Sequence, residues 1–125
     1  EINIQNSDAV TNANITLALP LVNGIPPIVS NISAGGSQVG NSIVWDFASL
    51  SGNSSILPKP SFDLAWITGT YTENTVVTMQ ASYVADAQCN QISLDLEKSV
   101  SLSCNQAYPE LKTFKYLDKT LIVQS

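Results

Sequence analysis

The stretch VVTMQASYVADAQCNQISLDLEKSVSLSC, residues 76–104, decides the fold class. In its first half Val77, Met79, Ala81 and Tyr83 alternate with Thr78, Gln80 and Ser82. In its second half Ile92, Leu94 and Leu96 are followed, in the same phase, by Val100, Leu102 and Cys104. Side chains of an extended chain point alternately to opposite faces, so a period of two builds a strand with one apolar and one polar face. Glu97, Lys98 and Ser99 read as a three-residue loop between two short strands, setting Leu96 against Val100, Leu94 against Leu102 and Ile92 against Cys104. Cys89 is out of phase with Ile92, which places it in a bulge or loop at the strand's entrance.

The same alternation recurs at Ile15, Leu17, Leu19 and Leu21, at Ile43, Trp45 and Phe47, and at Phe62, Leu64 and Trp66. No window carries the i, i+3, i+4, i+7 stripe of an amphipathic helix. Trp45 and Trp66 share the phase of their apolar neighbours and are expected in the core. Asn23-Gly24, Gly35-Gly36 and Gly40-Asn41 supply the positive φ angles of tight turns. Glu73-Asn74 reads as a hairpin, and Asp118-Lys119 as the turn between the last two strands. Residues 49–61, rich in Ser, Gly, Asn and Pro, form the longest expected connection. The pattern predicts an all-β chain: one antiparallel β-sandwich domain over residues 1–125, of about eight to ten short strands, Ig-like or jelly-roll-like. A small β-barrel is the alternative. Both cysteines follow both tryptophans, so the Ig disulfide arrangement around a core tryptophan is ruled out.

Composition narrows the function. The chain has 125 residues, 10 acids, 5 lysines, no arginine and no histidine, for a net charge of −5. Charged residues are only 12%, while 16 Ser, 9 Thr and 11 Asn carry the polar surface. Nucleic-acid binding needs a basic face, which is missing here, and the acidic balance also disfavours anionic membranes. Without histidine no Ser-His-Asp arrangement and no Cys/His zinc site can form. No apolar run approaches the roughly 20 residues that cross a bilayer as a helix. Cys89 and Cys104 suggest one disulfide pinning the end of the hairpin between them, and an oxidising compartment: secreted, periplasmic or cell surface. The start at Glu1, without a signal-peptide pattern, fits a processed or trimmed chain.

Carboxylates are the remaining acids and bases. Asp46 and Asp63 lie on polar strand faces beside aromatic residues, and a glycosidase would need such a pair facing one another. Neither Asp-Thr/Ser-Gly nor Gly-x-Ser-x-Gly is present, and no glycine loop is built for phosphate. The acids are too scattered for a calcium loop. No catalytic residue, metal or cofactor is therefore expected. Tyr71, Tyr108 and Tyr116 lie at strand ends or near turns, where a ring can meet a ligand. Sequons occur at Asn14, Asn31 and Asn53, but about two arise by chance from this composition, so they do not locate the protein.

The chain end carries one further pattern. Ile2 and Ile4 alternate, as a strand donated to a neighbouring subunit would. In composition and pattern this resembles bacterial donor-strand surface fibres, whose subunits are also acidic and rich in Thr, Asn and Ser. The leading expectation is a non-catalytic recognition or adhesion module, binding a protein or glycan partner outside the cytoplasm through loops. Contacts are expected from residues 49–61 (Asn53, Ser54, Pro58), from the turn at Asn23 to Pro27, from Tyr71 and from the Tyr108-Pro109 corner. The alternative is a structural subunit of a pilus, fibre or secretion assembly that self-assembles by strand addition. Third comes a secreted inhibitor or effector.

Overall fold

The computed structural model describes residues 2–6, 8–56, 58–67 and 69–102, and the strand backbone of 112–113 and 117–123. One layer is a five-stranded sheet in the order β4 (Ser37–Val39), β5 (Ser42–Leu50), β2 (Val10–Ala18), β8 (Val76–Asp86), β9 (Gln91–Ser101). All its neighbours are antiparallel. Two three-stranded sheets complete the fold. In one, β1 (Ile2–Asn6) lies between β11 (Leu117–Val123) and β6 (Ser54–Ser55). In the other, β7 (Asp63–Ala65) lies between β10 (Lys112–Thr113) and β3 (Ile28–Ser30). The chain is all-β, and its sheets are open in the manner of a sandwich rather than closed into a barrel.

Alternation dictates which faces meet. Val77, Met79, Ala81, Tyr83 and Ala85 of β8 are buried, and Ile43 and Trp45 of β5 face the same interior. The central strand β2 buries Val10, Ala13, Ile15 and Leu17. The three-residue step from Val10 to Ala13 is a bulge: Asn12 takes a φ of 50°, and the register against β8 shifts between Thr11 and Asn14. One extra residue keeps both halves of the strand facing inward. Against this face the smaller sheets set Ile2, Ile4, Phe62 and Leu64, all fully buried. Each such side chain stabilises the fold by about 1.5–3 kcal/mol.

Trp45 fastens the two layers. Its ring lies 6.1 Å from that of Phe62, and its indole N–H donates to the Ser33 carbonyl at 2.8 Å. Gly36 runs so close over the indole that a Cβ there would overlap the ring. A second strut crosses at Tyr83, whose hydroxyl donates to Asn6 Oδ1 at 2.9 Å.

Several expectations need correction. Glu97, Lys98 and Ser99 are not a loop: β9 is one eleven-residue strand, paired with β8 from Asp86↔Gln91 to Val76↔Ser101. The misreading came from Lys98, which sits at an inward position opposite Met79. An inward-pointing charge on an end strand discourages another chain from pairing with it. Asp118 and Lys119 fall inside β11 rather than in a turn. Glu73-Asn74 joins strands of different sheets, so no hairpin forms there. Residues 49–61 do not stand away from the body. They trail along β1, with Ile56 N–H bonded to the Ile4 carbonyl and Ile2 N–H to the Pro60 carbonyl.

No disulfide is seen among the described residues. Cys89 is a free, exposed thiol in the turn from β8 to β9; Cys104 lies outside the described residues. Leu102 ends the β9 line at its far end, where its backbone bonds Asn74 and Thr75.

Two outcomes follow from this architecture. Gly36→Ala should cost on the order of 1–3 kcal/mol in urea denaturation, because the added methyl must displace the Trp45 ring; an unchanged midpoint would mean the indole is loosely held. In the native protein, prepared without reductant, Cys89 should be alkylated by a maleimide. A blocked thiol and a cross-linked 89–104 peptide after digestion would contradict the free thiol.

Candidate functional site

The expected contact residues fall in two groups: Asn53, Ser54 and Pro58 along one segment, and the Asn23-to-Pro27 turn beside the loop of Tyr71. Asn53 is exposed in the turn after β5, with a φ of 52°. Beside it Ser54 pairs with Asn6 in the β1–β6 ladder and donates its hydroxyl to the Ser51 carbonyl at 2.8 Å. Pro58 is exposed further along the same segment. Tyr71 lies elsewhere, half-buried, its ring edge-on to Trp66 at 6.1 Å. Tyr108 and Tyr116 lie outside the described residues. Trp45 and Trp66 are core, as their phase required.

The sheet registers define two ends of the five-stranded layer. At one end lie the start of β2, the end of β5 and the β8–β9 turn. This end is polar: Asp8, Asn12, Asn53, Gln88 and Asn90 are all exposed there. At the other end lie the close of β2, the β4–β5 turn and the start of β8. The loops entering β3 and leaving β7 gather there too, because Ile28 pairs with Ala65 and Asn23 Nδ2 donates to the Thr70 carbonyl at 3.0 Å.

All the large, exposed aliphatic side chains of the described residues belong to this second end: Leu21, Ile25, Ile28, Val39, Ile67 and Val76, between 42% and 63% exposed. Scattered exposed aliphatics are ordinary, but collecting them at one end is what marks a contact surface. Covering them would contribute about 1 kcal/mol each. Phase gave no sign of this surface: Leu21 shares the phase of the buried Ile15, Leu17 and Leu19, yet it is exposed beyond the end of β2.

The apolar end is rigid and internally bonded. Asn23 and Gly24 take φ values of 52° and 77°, the paired positive angles of a type I′ turn. Val22 and Ile25 exchange backbone hydrogen bonds of 3.0 and 2.9 Å across it. The Ile25 carbonyl also accepts the Trp66 indole N–H at 3.3 Å, and the Ile67 carbonyl accepts the Thr70 N–H at 3.0 Å. No charged side chain lies between Asp8 and Asp46 or between Asp63 and Glu73. Glu73 is thus the one charge in the loops of residues 19–27, 39–42 and 66–75.

Elsewhere the acids are held by amides. Asn14 donates to Asp46 at 2.7 Å, Asn31 to Asp63 at 2.7 Å, Asn12 to Asp86 at 3.1 Å and Gln80 to Glu97 at 3.1 Å. Asp46 and Asp63 lie in different sheets, so they do not form the facing pair a glycosidase requires. The outer face of β2, β8 and β9 forms an open hollow of about 640 Å³, lined by Thr16, Ala18, Gln80, Ser82, Asp95 and Glu97. Asp8, Thr11 and Asp86 border a smaller one of about 360 Å³. Among the described residues no three acids or cysteines gather to hold a metal ion, and no helix is long and apolar enough to cross a membrane.

No protein-family model, curated protein or solved structure matches the chain. Its function is therefore read from the geometry above.

Burial pushes the Tyr83 phenol above its usual value of 10.0, and the hydrogen bond to Asn6 offsets part of that rise. A pKa raised on folding favours the native state below pH 10, and the contribution is lost as pH climbs through the folded value. The urea midpoint of the native chain should fall above pH 10 more steeply than that of Tyr83→Phe. At neutral pH the same variant should lose about 1 kcal/mol, for the missing hydrogen bond to Asn6. Parallel alkaline profiles would show that the phenol reaches water.

Proposed function

We propose that this chain is a non-catalytic recognition or adhesion module acting outside the cytoplasm, and that it meets its partner with the apolar end. The observation that carries the reading is the gathering of Leu21, Ile25, Ile28, Val39, Ile67 and Val76 at one end, whose loops of residues 19–27, 39–42 and 66–75 carry Glu73 as their one charge. Antiparallel sheets supply a stiff support, and loops at one end of such a support are where binding residues concentrate. The aliphatic side chains give a sugar no ring to stack on, so a glycan is the poorer fit for this surface. The segment at Asn53, Ser54 and Pro58 is a separate and more polar candidate.

Assembly by strand addition is less well supported. β1 already has a neighbour on each side within its own chain, β11 and β6, and buries Ile2 and Ile4. Donating it would open the sandwich.

The test is binding of fluorescently labelled protein to intact cells. The double variant Ile25→Ser/Ile67→Ser should bind at least about tenfold less, since two exposed aliphatics contribute about 2 kcal/mol when covered. Asn53→Ala, remote from that end, should bind within about twofold of the unaltered chain, as substitutions outside a contact do. The reverse pattern would move the contact to residues 49–61.

A further inference from the structure

We infer that the apolar end docks onto the uncharged interface of a lipid bilayer, inserting its aliphatic side chains without crossing; this rests on the proposed reading of that end as the contact surface. Three features of the structure select this occupant. First, the exposed groups are all aliphatic: Leu21, Ile25, Ile28, Val39, Ile67 and Val76. Protein interfaces are anchored by Trp, Tyr and Arg in a central cluster with a polar rim. This chain has no arginine, and both tryptophans are buried. The aliphatics instead come from loops and strands of both layers, which suits a broad soft surface better than a shaped pocket.

Second, the backbone at the tip can leave water cheaply. An apolar medium penalises any unpaired N–H or C=O. Val22 and Ile25 bond one another, and the Ile25, Ile67 and Thr70 carbonyls accept from Trp66, Thr70 and Asn23. The Trp66 and Asn23 side chains and the Thr70 N–H satisfy carbonyls that a free loop would leave to solvent.

Third, the loops of residues 19–27, 39–42 and 66–75 carry one charge, Glu73, whereas Asp8 and Asp86 lie at the polar end. A domain divided in this way orients end-on at a boundary between water and hydrocarbon. Glu73 and the absence of lysine from those loops argue for neutral rather than anionic headgroups.

The experiment is co-sedimentation of the full chain with vesicles of phosphatidylcholine alone, and of phosphatidylcholine mixed with phosphatidylserine, at low and high salt. The expected result is binding to the neutral vesicles that salt does not weaken and phosphatidylserine does not strengthen. Ile25→Ser/Ile67→Ser should lower the partition coefficient at least about tenfold, with circular dichroism and melting unchanged because both positions are exposed. Asn53→Ser should partition like the unaltered chain. Binding that requires the anionic lipid would overturn the inference. So would light scattering that shows a concentration-dependent dimer lost in the same double variant, since a second copy would then occupy the end. Cell binding that persists without vesicle binding, and is removed by protease treatment of the cells, would reject the lipid and leave the recognition reading standing. Failure on both cells and vesicles would reject both.

Discussion

The sandwich depends on how Trp45 is held. A buried indole brings much apolar surface and one N–H that must find an acceptor. Here the acceptor is the Ser33 carbonyl, and Ser33 is itself a junction. Its hydroxyl accepts from the Ser61 N–H and hydroxyl and donates to the Lys59 carbonyl. One tryptophan on β5 thereby fixes the segment that leads into β7, while Phe62 packs against its ring from the other layer. Gly36 must lack a side chain for that ring to fit. The layers are locked by shape and a few directed bonds.

That economy of charge runs through the molecule. With no arginine and only five lysines, carboxylates on the outer faces take asparagine and glutamine amides as partners. An amide satisfies a carboxylate oxygen without cancelling its charge, so the surface stays acidic while its side chains stay ordered. The consequence is an asymmetric body, polar and acidic toward the β8–β9 turn and aliphatic toward the Asn23-Gly24 turn. Recognition through the aliphatic end follows from that asymmetry more naturally than from any single residue.

Strand phase made much of this legible in advance. Val77 to Tyr83, Ile15 to Leu19 and Ile43 to Trp45 turn inward as their alternation required, and the tryptophans are core, whereas Leu21, in the same phase, is exposed. Tight turns at Asn23-Gly24 and Gly40-Asn41 were equally plain, because left-handed φ angles leave few residue choices. The errors share one cause. A charged residue at an inward position, Lys98, imitates a loop, and a polar pair such as Asp118-Lys119 imitates a turn. Local pattern cannot reveal that an end strand tolerates a charge on its inner face.

From the sequence alone came the all-β class, the inward face of β2, β5 and β8, and a composition with no histidine or arginine. These are properties of composition and of a two-residue period, which any extended chain must obey. Only the tertiary structure decided that β9 runs unbroken, that β1 is enclosed between β11 and β6, and that six aliphatics from distant segments share one end. Those outcomes depend on which strands pair and in what register. Pairing is chosen by the packing of the whole core around Trp45, Phe62 and Tyr83, and no local window of the chain contains it.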